Sequence, residues 1–293
     1  MLDTSPFRHL YPFDSHWLDL DGIRYHYLDE GPRDAACLVL LHGNPTWSFY
    51  YRTLIPELSQ QYRVIVPDHI GCGLSDKPQR YLYTLEQHIR NLERLLKDLD
   101  VRTVTLALHD WGGAIGMGYA THHYEHIKQF IIFNTAAFFV PVLPFRIAVC
   151  RIPVLGKLLV QGVNGFARGA LHFATSQPRR FTKAVKAGYL APYNSWGNRI
   201  ATHQFVKDIP MEARHPTRRI LDRITKELPR FRNHRMVIFW GAKDFCFTVG
   251  DFLPEWQKRF PEAEVHVFED AGHYVVEDAH ERILPRLLKF LNE

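Results

Sequence analysis

Six short, nearly unbroken apolar runs constrain this chain more than any other feature: CLVLL (37–41), RVIVP (63–67), TVTLAL (103–108), QFIIF (129–133), MVIFW (236–240) and VHVFE (265–269). Runs this short, apolar at odd and even positions alike, fit strands covered on both faces, as in a parallel sheet. Between them lie stretches of helical period, at 48–60, 84–99, 111–123, 252–260 and 280–292. Strand–helix alternation of this kind predicts an α/β fold, a mostly parallel central sheet flanked by helices. Ahead of it, HWLDL and IRYHYLD alternate in polarity around Asp21-Gly22, the signature of a hairpin with a tight turn.

One region breaks the rhythm. From residue 134 to 233 no strand is evident, only helical stretches punctuated by Pro and Gly. The expected organisation is a core of 1–133 and 234–293 with a helical cap, 134–233, inserted in it. The apolar stretch 131–163 is broken by Pro141, Pro144 and Pro153 and by Arg146, Arg151 and Lys157, so it is not a spanning helix. At 46% hydrophobic and 23% charged, the 293 residues have an ordinary globular composition, sufficient to bury a large core. The formal charge of +5 raises the question of an acidic partner. The basic residues read as dispersed, and the densest group, Arg214 to Arg235, is interleaved with Asp222 and Glu227, so no nucleic-acid partner is expected. Four cysteines without regular spacing and a start without a signal-peptide pattern predict reduced thiols and a cytoplasmic location.

The chemistry gathers at strand ends. Leu108-His109-Asp110-Trp111-Gly112-Gly113 joins the strand TVTLAL to a helix, the setting of a nucleophile elbow: a sharp turn with small residues that let backbones pack. A carboxylate there matters. Attack by serine on a saturated carbon gives an inert ether, whereas attack by Asp110 gives an ester that water can cleave. The following helix N-terminus is expected to help keep Asp110 ionised. Alone, Asp110 would serve equally as an N-cap. It is accompanied, however, by Asp244 after the strand MVIFW and by His273 after VHVFE, in the chain order nucleophile, acid, histidine of α/β-hydrolases. His273 is then the base and Asp244 its orienting acceptor. The loop His42-Gly43-Asn44-Pro45-Thr46-Trp47 follows CLVLL and offers the Asn44 amide, while Trp111 offers an indole N–H; two such donors suit a departing anion.

With these motifs in place, HGNPTW, PDHIGCGLSDKP, HDWGG, WGAKD and GHYVVED resemble the haloalkane dehalogenase family of α/β-hydrolases over nearly the whole chain. The resemblance implies Asp110, His273 and Asp244 as catalytic residues and Asn44 and Trp111 as halide-binding ones. It also implies an alkyl-enzyme ester hydrolysed by His273-activated water to alcohol and halide. Some branches carry the acid after the strand before the cap. Here that position reads Phe133-Asn134-Thr135 without a carboxylate, a pattern similar to the third subfamily. The cap segments 189–196 and 205–210 also resemble the β-lactone decarboxylases of long-chain olefin synthesis, in which Asp110 would open the lactone and loss of carbon dioxide would leave an alkene.

Other readings stay on the table. An epoxide hydrolase would need cap tyrosines, for which Tyr189 and Tyr193 are the candidates, and Trp196 is the one distant candidate for a second halide-binding tryptophan. A non-catalytic ligand receptor would have no need of the base His273. The Gly71-Cys72-Gly73 stretch lacks the third glycine of a dinucleotide fingerprint, and no His-Glu-x-x-His occurs, so neither an organic cofactor nor a metal is expected. The expected partner is a small hydrophobic substrate, and an apolar cap is compatible with homo-oligomers.

Overall fold

The computed structural model describes residues 2–293. Eight strands form one sheet: β1 (His16–Leu20), β2 (Ile23–Glu30), β3 (Cys37–Leu41), β4 (Arg63–Pro67), β5 (Val104–Asp110), β6 (Ile127–Thr135), β7 (Arg235–Gly241) and β8 (Glu264–Phe268). Their order is β1-β2-β4-β3-β5-β6-β7-β8, with β1 and β2 antiparallel and β3 to β8 all parallel. All six apolar runs are strands. The Asp21-Gly22 hairpin forms as well, both residues at positive φ (55° and 88°).

The runs are apolar throughout because each strand is covered twice. Val39, Leu106, Leu108, Ile132 and Ile238 face one core, while Leu38, Leu40, Ala107, Ile131 and Val237 face another. The alternation is the strand's own two-residue period. Truncating any of the leucines or isoleucines among these to Ala is expected to cost about 2–5 kcal/mol.

The helices are α1 (Ile55–Leu58), α2 (Leu85–Asp98), α3 (Trp111–His122), α4 (Phe145–Val149), α5 (Leu155–Lys157), α6 (Gly165–Phe173), α7 (Lys183–Leu190), α8 (Ile200–Asp208), α9 (Pro216–Glu227), α10 (Leu253–Arg259) and α11 (Val275–Asn292). The helix expected at 48–60 is instead a 3-10 turn, Ser48–Tyr51, followed by the single turn of α1. Residues 136–233 contain no strand, and residues of α4, α6 and α8 line the cavities at Asp110. The last helix of this stretch behaves differently. Leu221 and Ile224 of α9 join the core under α2 and α3, and Asp208 anchors the crossing by accepting from Leu85 N at 2.8 Å and Thr217 Oγ1 at 2.7 Å.

The chain runs from β3 out to β4 and back to β5 on the other side of β3. The loops after β3 and β5 therefore diverge, opening a crevice at the strands' carboxyl ends. Leu41 pairs with Leu108, so the turn carrying Asn44 and the turn carrying Asp110 stand at the same height.

Candidate active site

Asp110 ends β5 with φ 51° and ψ −126°, a conformation that non-glycine residues avoid. The strain persists because its surroundings fix it. A Cβ at Gly43 would overlap the Asp110 carboxylate, and one at Gly113 would overlap the Thr135 hydroxyl, which itself bonds the Asp110 carbonyl. Within this frame the backbone N–H of Asn44 donates to Asp110 Oδ1 at 2.7 Å, and the Trp111 N–H also bonds the carboxylate. These two amides form a ready-made oxyanion hole for an Asp110 ester, a feature the residue types alone did not announce.

His273 lies across from it. Its Nε2 is 3.6 Å from Asp110 Oδ2, and its Nδ1 is 2.8 Å from Asp244 Oδ2. All three groups are buried. Asp244 is further held by the Cys246 N–H at 2.6 Å and by Asn134 Nδ2 at 2.9 Å. Asn134 in turn bridges to β7, accepting from Gly241 N at 2.8 Å and donating to Gly241 O at 3.1 Å. The position that lacks a carboxylate in the sequence thus carries an amide that orients the acid standing elsewhere.

Burial raises the Asp110 carboxyl above its ordinary range; the His273 charge and the amides of Asn44 and Trp111 offset this only in part. The Trp111 N–H at the helix N-terminus does lower it, but by less than desolvation raises it. Burial alone would lower His273, but the charge of Asp244, its hydrogen bond and the charge of Asp110 together raise it.

The expected halide donors are both at the site, with one difference. Asn44 and Trp111 line the same cavity as Asp110 and His273, but the Asn44 side-chain amide already donates to Thr202 O of α8 at 3.1 Å. One of its two N–H bonds is therefore committed to the cap. The cap tyrosines do not reach the site. Tyr189 donates to Glu277 at 2.6 Å and Tyr193 to Thr46 O at 3.3 Å, and neither lines a cavity at Asp110, which removes the basis for epoxide opening. Trp196 is exposed on the outer surface of the cap. Among the described residues, no cluster of His, Cys, Asp and Glu has the arrangement of a metal site.

Two apolar cavities meet at the nucleophile. One, of about 460 Å³, runs under α4 and α6 past Phe145, Phe166, Phe173 and Phe245. The other, of about 140 Å³, runs past Phe138, Val140, Leu143, Leu221 and Phe252. Both are walled by Asp110, Trp111, Ile147, Ile209 and Cys246. The site is a fork.

A model of the alpha/beta hydrolase family matches residues 38–286. The cis-3-alkyl-4-alkyloxetan-2-one decarboxylase of Shewanella oneidensis is 43% identical over 100% of this chain and 91% of its own length. Haloalkane dehalogenase 2 of Mycobacterium tuberculosis is 30% identical over 98% of each. Among solved structures, haloalkane dehalogenase DatA from Agrobacterium tumefaciens C58 is similar with a TM-score of 0.85 at 25% identity, covering 95% of this chain and 96% of that one. The chain belongs to the alpha/beta hydrolase family and is an enzyme of it, with haloalkane dehalogenases and oxetanone decarboxylases as homologues.

Proposed function

We propose that this enzyme decarboxylates β-lactones carrying an alkyl chain on each of the two ring carbons C3 and C4, with Asp110 as nucleophile. The observation that carries this reading is the fork: two apolar cavities diverge from one carboxylate, matching a substrate whose two chains diverge from the reacting ring. A simple haloalkane, with one chain, would fill only one arm. The greater identity to the oxetanone decarboxylase than to the dehalogenase supports the same choice and reverses the order of preference given by the motifs alone.

The proposed steps balance without water. Oδ1 of Asp110 is anchored by Asn44 N, leaving Oδ2 to attack C4 of the ring. The C4–O bond breaks, giving an ester at C4 and a free carboxylate on C3. The free N–H of the Asn44 amide and the Trp111 indole N–H receive that carboxylate. Next the C3–carboxylate bond supplies its electron pair to a new C3–C4 π bond, the ester C–O bond breaks, and carbon dioxide leaves. Asp110 is regenerated as a carboxylate. Inversion at C4 followed by anti elimination converts a cis lactone into a cis alkene. His273, held by Asp244, places positive charge beside Asp110 and so stabilises it as the leaving group.

A second reading is favoured by one specific observation: a buried base 3.6 Å from the nucleophile with an acid behind it is what ester hydrolysis needs. In that reading Asp110 displaces halide and His273 activates water to release the alcohol. The test is product analysis by gas chromatography–mass spectrometry, with a cis-dialkyl β-lactone in one incubation and 1-iodohexane or 1,2-dibromoethane in another. Rapid alkene formation with slow halide release supports the lactone reading. An untouched lactone, or a β-hydroxy acid as its product, beside efficient halide release would replace it with hydrolytic dehalogenation.

A further inference from the structure

The basic residues of this chain are less dispersed than they read, because the acidic ones avoid one region. Between 134 and 210 there are ten Lys and Arg and a single acid, Asp208, which is buried and bonded to α2 and Thr217. The rest of the chain has 26 basic and 30 acidic residues, out of 36 and 31 in all. The cap is strongly cationic on a core that is net negative. Of the ten cations in 134–210, only Arg151 and Arg180 pair with a carboxylate among the described residues.

Most of the large apolar side chains that the fold leaves exposed lie in the same region. Phe145 is 81% and Val154 74% exposed, and Leu155, Leu158, Val163, Phe173 and Trp196 are uncovered as well. They interleave with the cations: the Lys157 ammonium stands 5.7 Å from the Trp196 ring and the Arg146 guanidinium 4.2 Å from Phe173. Val154 has φ 64°, a region β-branched residues rarely enter, yet its side chain is held out in solvent. Phe145 and Phe173 also line the larger arm of the fork, so the patch surrounds the mouth of the route to Asp110.

From this geometry we infer that the cap docks on an anionic phospholipid bilayer, with the mouth of the larger cavity set against the acyl chains. Apolar side chains ringed by unpaired cations are what an interfacial surface requires: the former enter the headgroup boundary, the latter meet lipid phosphates. A second copy of the chain fits the patch poorly, since face-to-face packing would oppose like charges. No helix among the described residues is long and apolar enough to cross a membrane, so the attachment is peripheral. The inference uses the apolar character of the cavity and not the identity of the reaction, and a substrate that partitions into lipid would enter without crossing water.

The experiment is sedimentation of the full chain with phosphatidylglycerol-containing and with pure phosphatidylcholine vesicles, at low and raised salt. Binding is expected only to the anionic vesicles, weakening as salt rises. Lys157→Glu and Arg168→Glu, both on exposed cap positions, are expected to weaken it by fivefold or more each, about 1 kcal/mol per cation by the surface potential. Val154→Asp is expected to abolish insertion. Brominated lipid should quench fluorescence in the wild type, and the quenching should disappear in Trp196→Phe. Absence of binding at low salt, equal binding to both vesicles, or quenching unchanged in Trp196→Phe would overturn the proposal. So would an oligomer in solution that Val154→Asp and Lys157→Glu disperse, which would assign the face to another copy.

Discussion

The molecule holds two buried histidine–aspartate pairs of the same bond length. His26 Nδ1 lies 2.8 Å from Asp68 Oδ2, and His273 Nδ1 lies 2.8 Å from Asp244 Oδ2. Each carboxylate also accepts backbone N–H bonds, Asp68 from Ser48 and Leu74, Asp244 from Cys246. The pairs differ at the other ring nitrogen. His26 Nε2 is closed off by Ser15 Oγ at 3.0 Å, whereas His273 Nε2 faces Asp110 at 3.6 Å in the wall of a cavity. One pair is a strut that ties β2 to the loop after β4. The other can move a proton or hold a charge where chemistry occurs. In the proposed reaction, what would make the same dyad catalytic is the partner left to its second nitrogen.

The strongest attempt to break this comparison is His273→Gln. Haloalkane turnover should fall by about 10³–10⁴-fold, with an alkyl ester trapped on the Asp110 peptide and visible by mass spectrometry. Lactone decarboxylation, which needs His273 only for its charge, should fall about ten- to a hundredfold. Equal losses in both reactions would mean that His273 plays one role in both. Asp244→Asn is next: haloalkane hydrolysis should drop about 10³–10⁴-fold in kcat, because the imidazole loses its tautomer and its orientation. Asn134→Leu removes the amide behind Asp244 without touching the base, and about a ten- to hundredfold loss in kcat with little change in KM is expected.

The two reactions should also separate by pH. A base works deprotonated, so the raised pKa of His273 moves the acid limb of haloalkane turnover above the ordinary histidine value of 6.5. Decarboxylation requires Asp110 ionised with His273 charged beside it, so it has an acid limb set by Asp110 and declines where His273 loses its proton. Its acid limb should lie lower, above the usual carboxylate range because burial raises Asp110, yet below that of the hydrolysis. Coincident profiles on steady-state assay would count against a separate role for His273. The smallest effect on rate belongs to the strut: Asp68→Asn should leave kcat within about twofold while lowering stability by about 2–4 kcal/mol in denaturant titration.

Much of this site was legible in the chain. The unbroken apolar runs fixed the two-sided sheet because strand burial follows a two-residue period, and Asp110, Asp244 and His273 were readable because each follows a run that ends at the same edge. The pairing of charges and amides was not. Nothing local tells that His26 pairs with Asp68, that Asn134 holds Asp244, that Asn44 spends one N–H on Thr202, or that α9 leaves the cap to pack under α2 and α3. Each of these depends on a partner far along the chain, brought near only when helices and strands pack. Period and order are properties of neighbouring residues and survive in the sequence. A side chain's last hydrogen bond, and the fork of cavities around it, are decided by close packing in three dimensions, where a displacement of about 1 Å makes or breaks the contact.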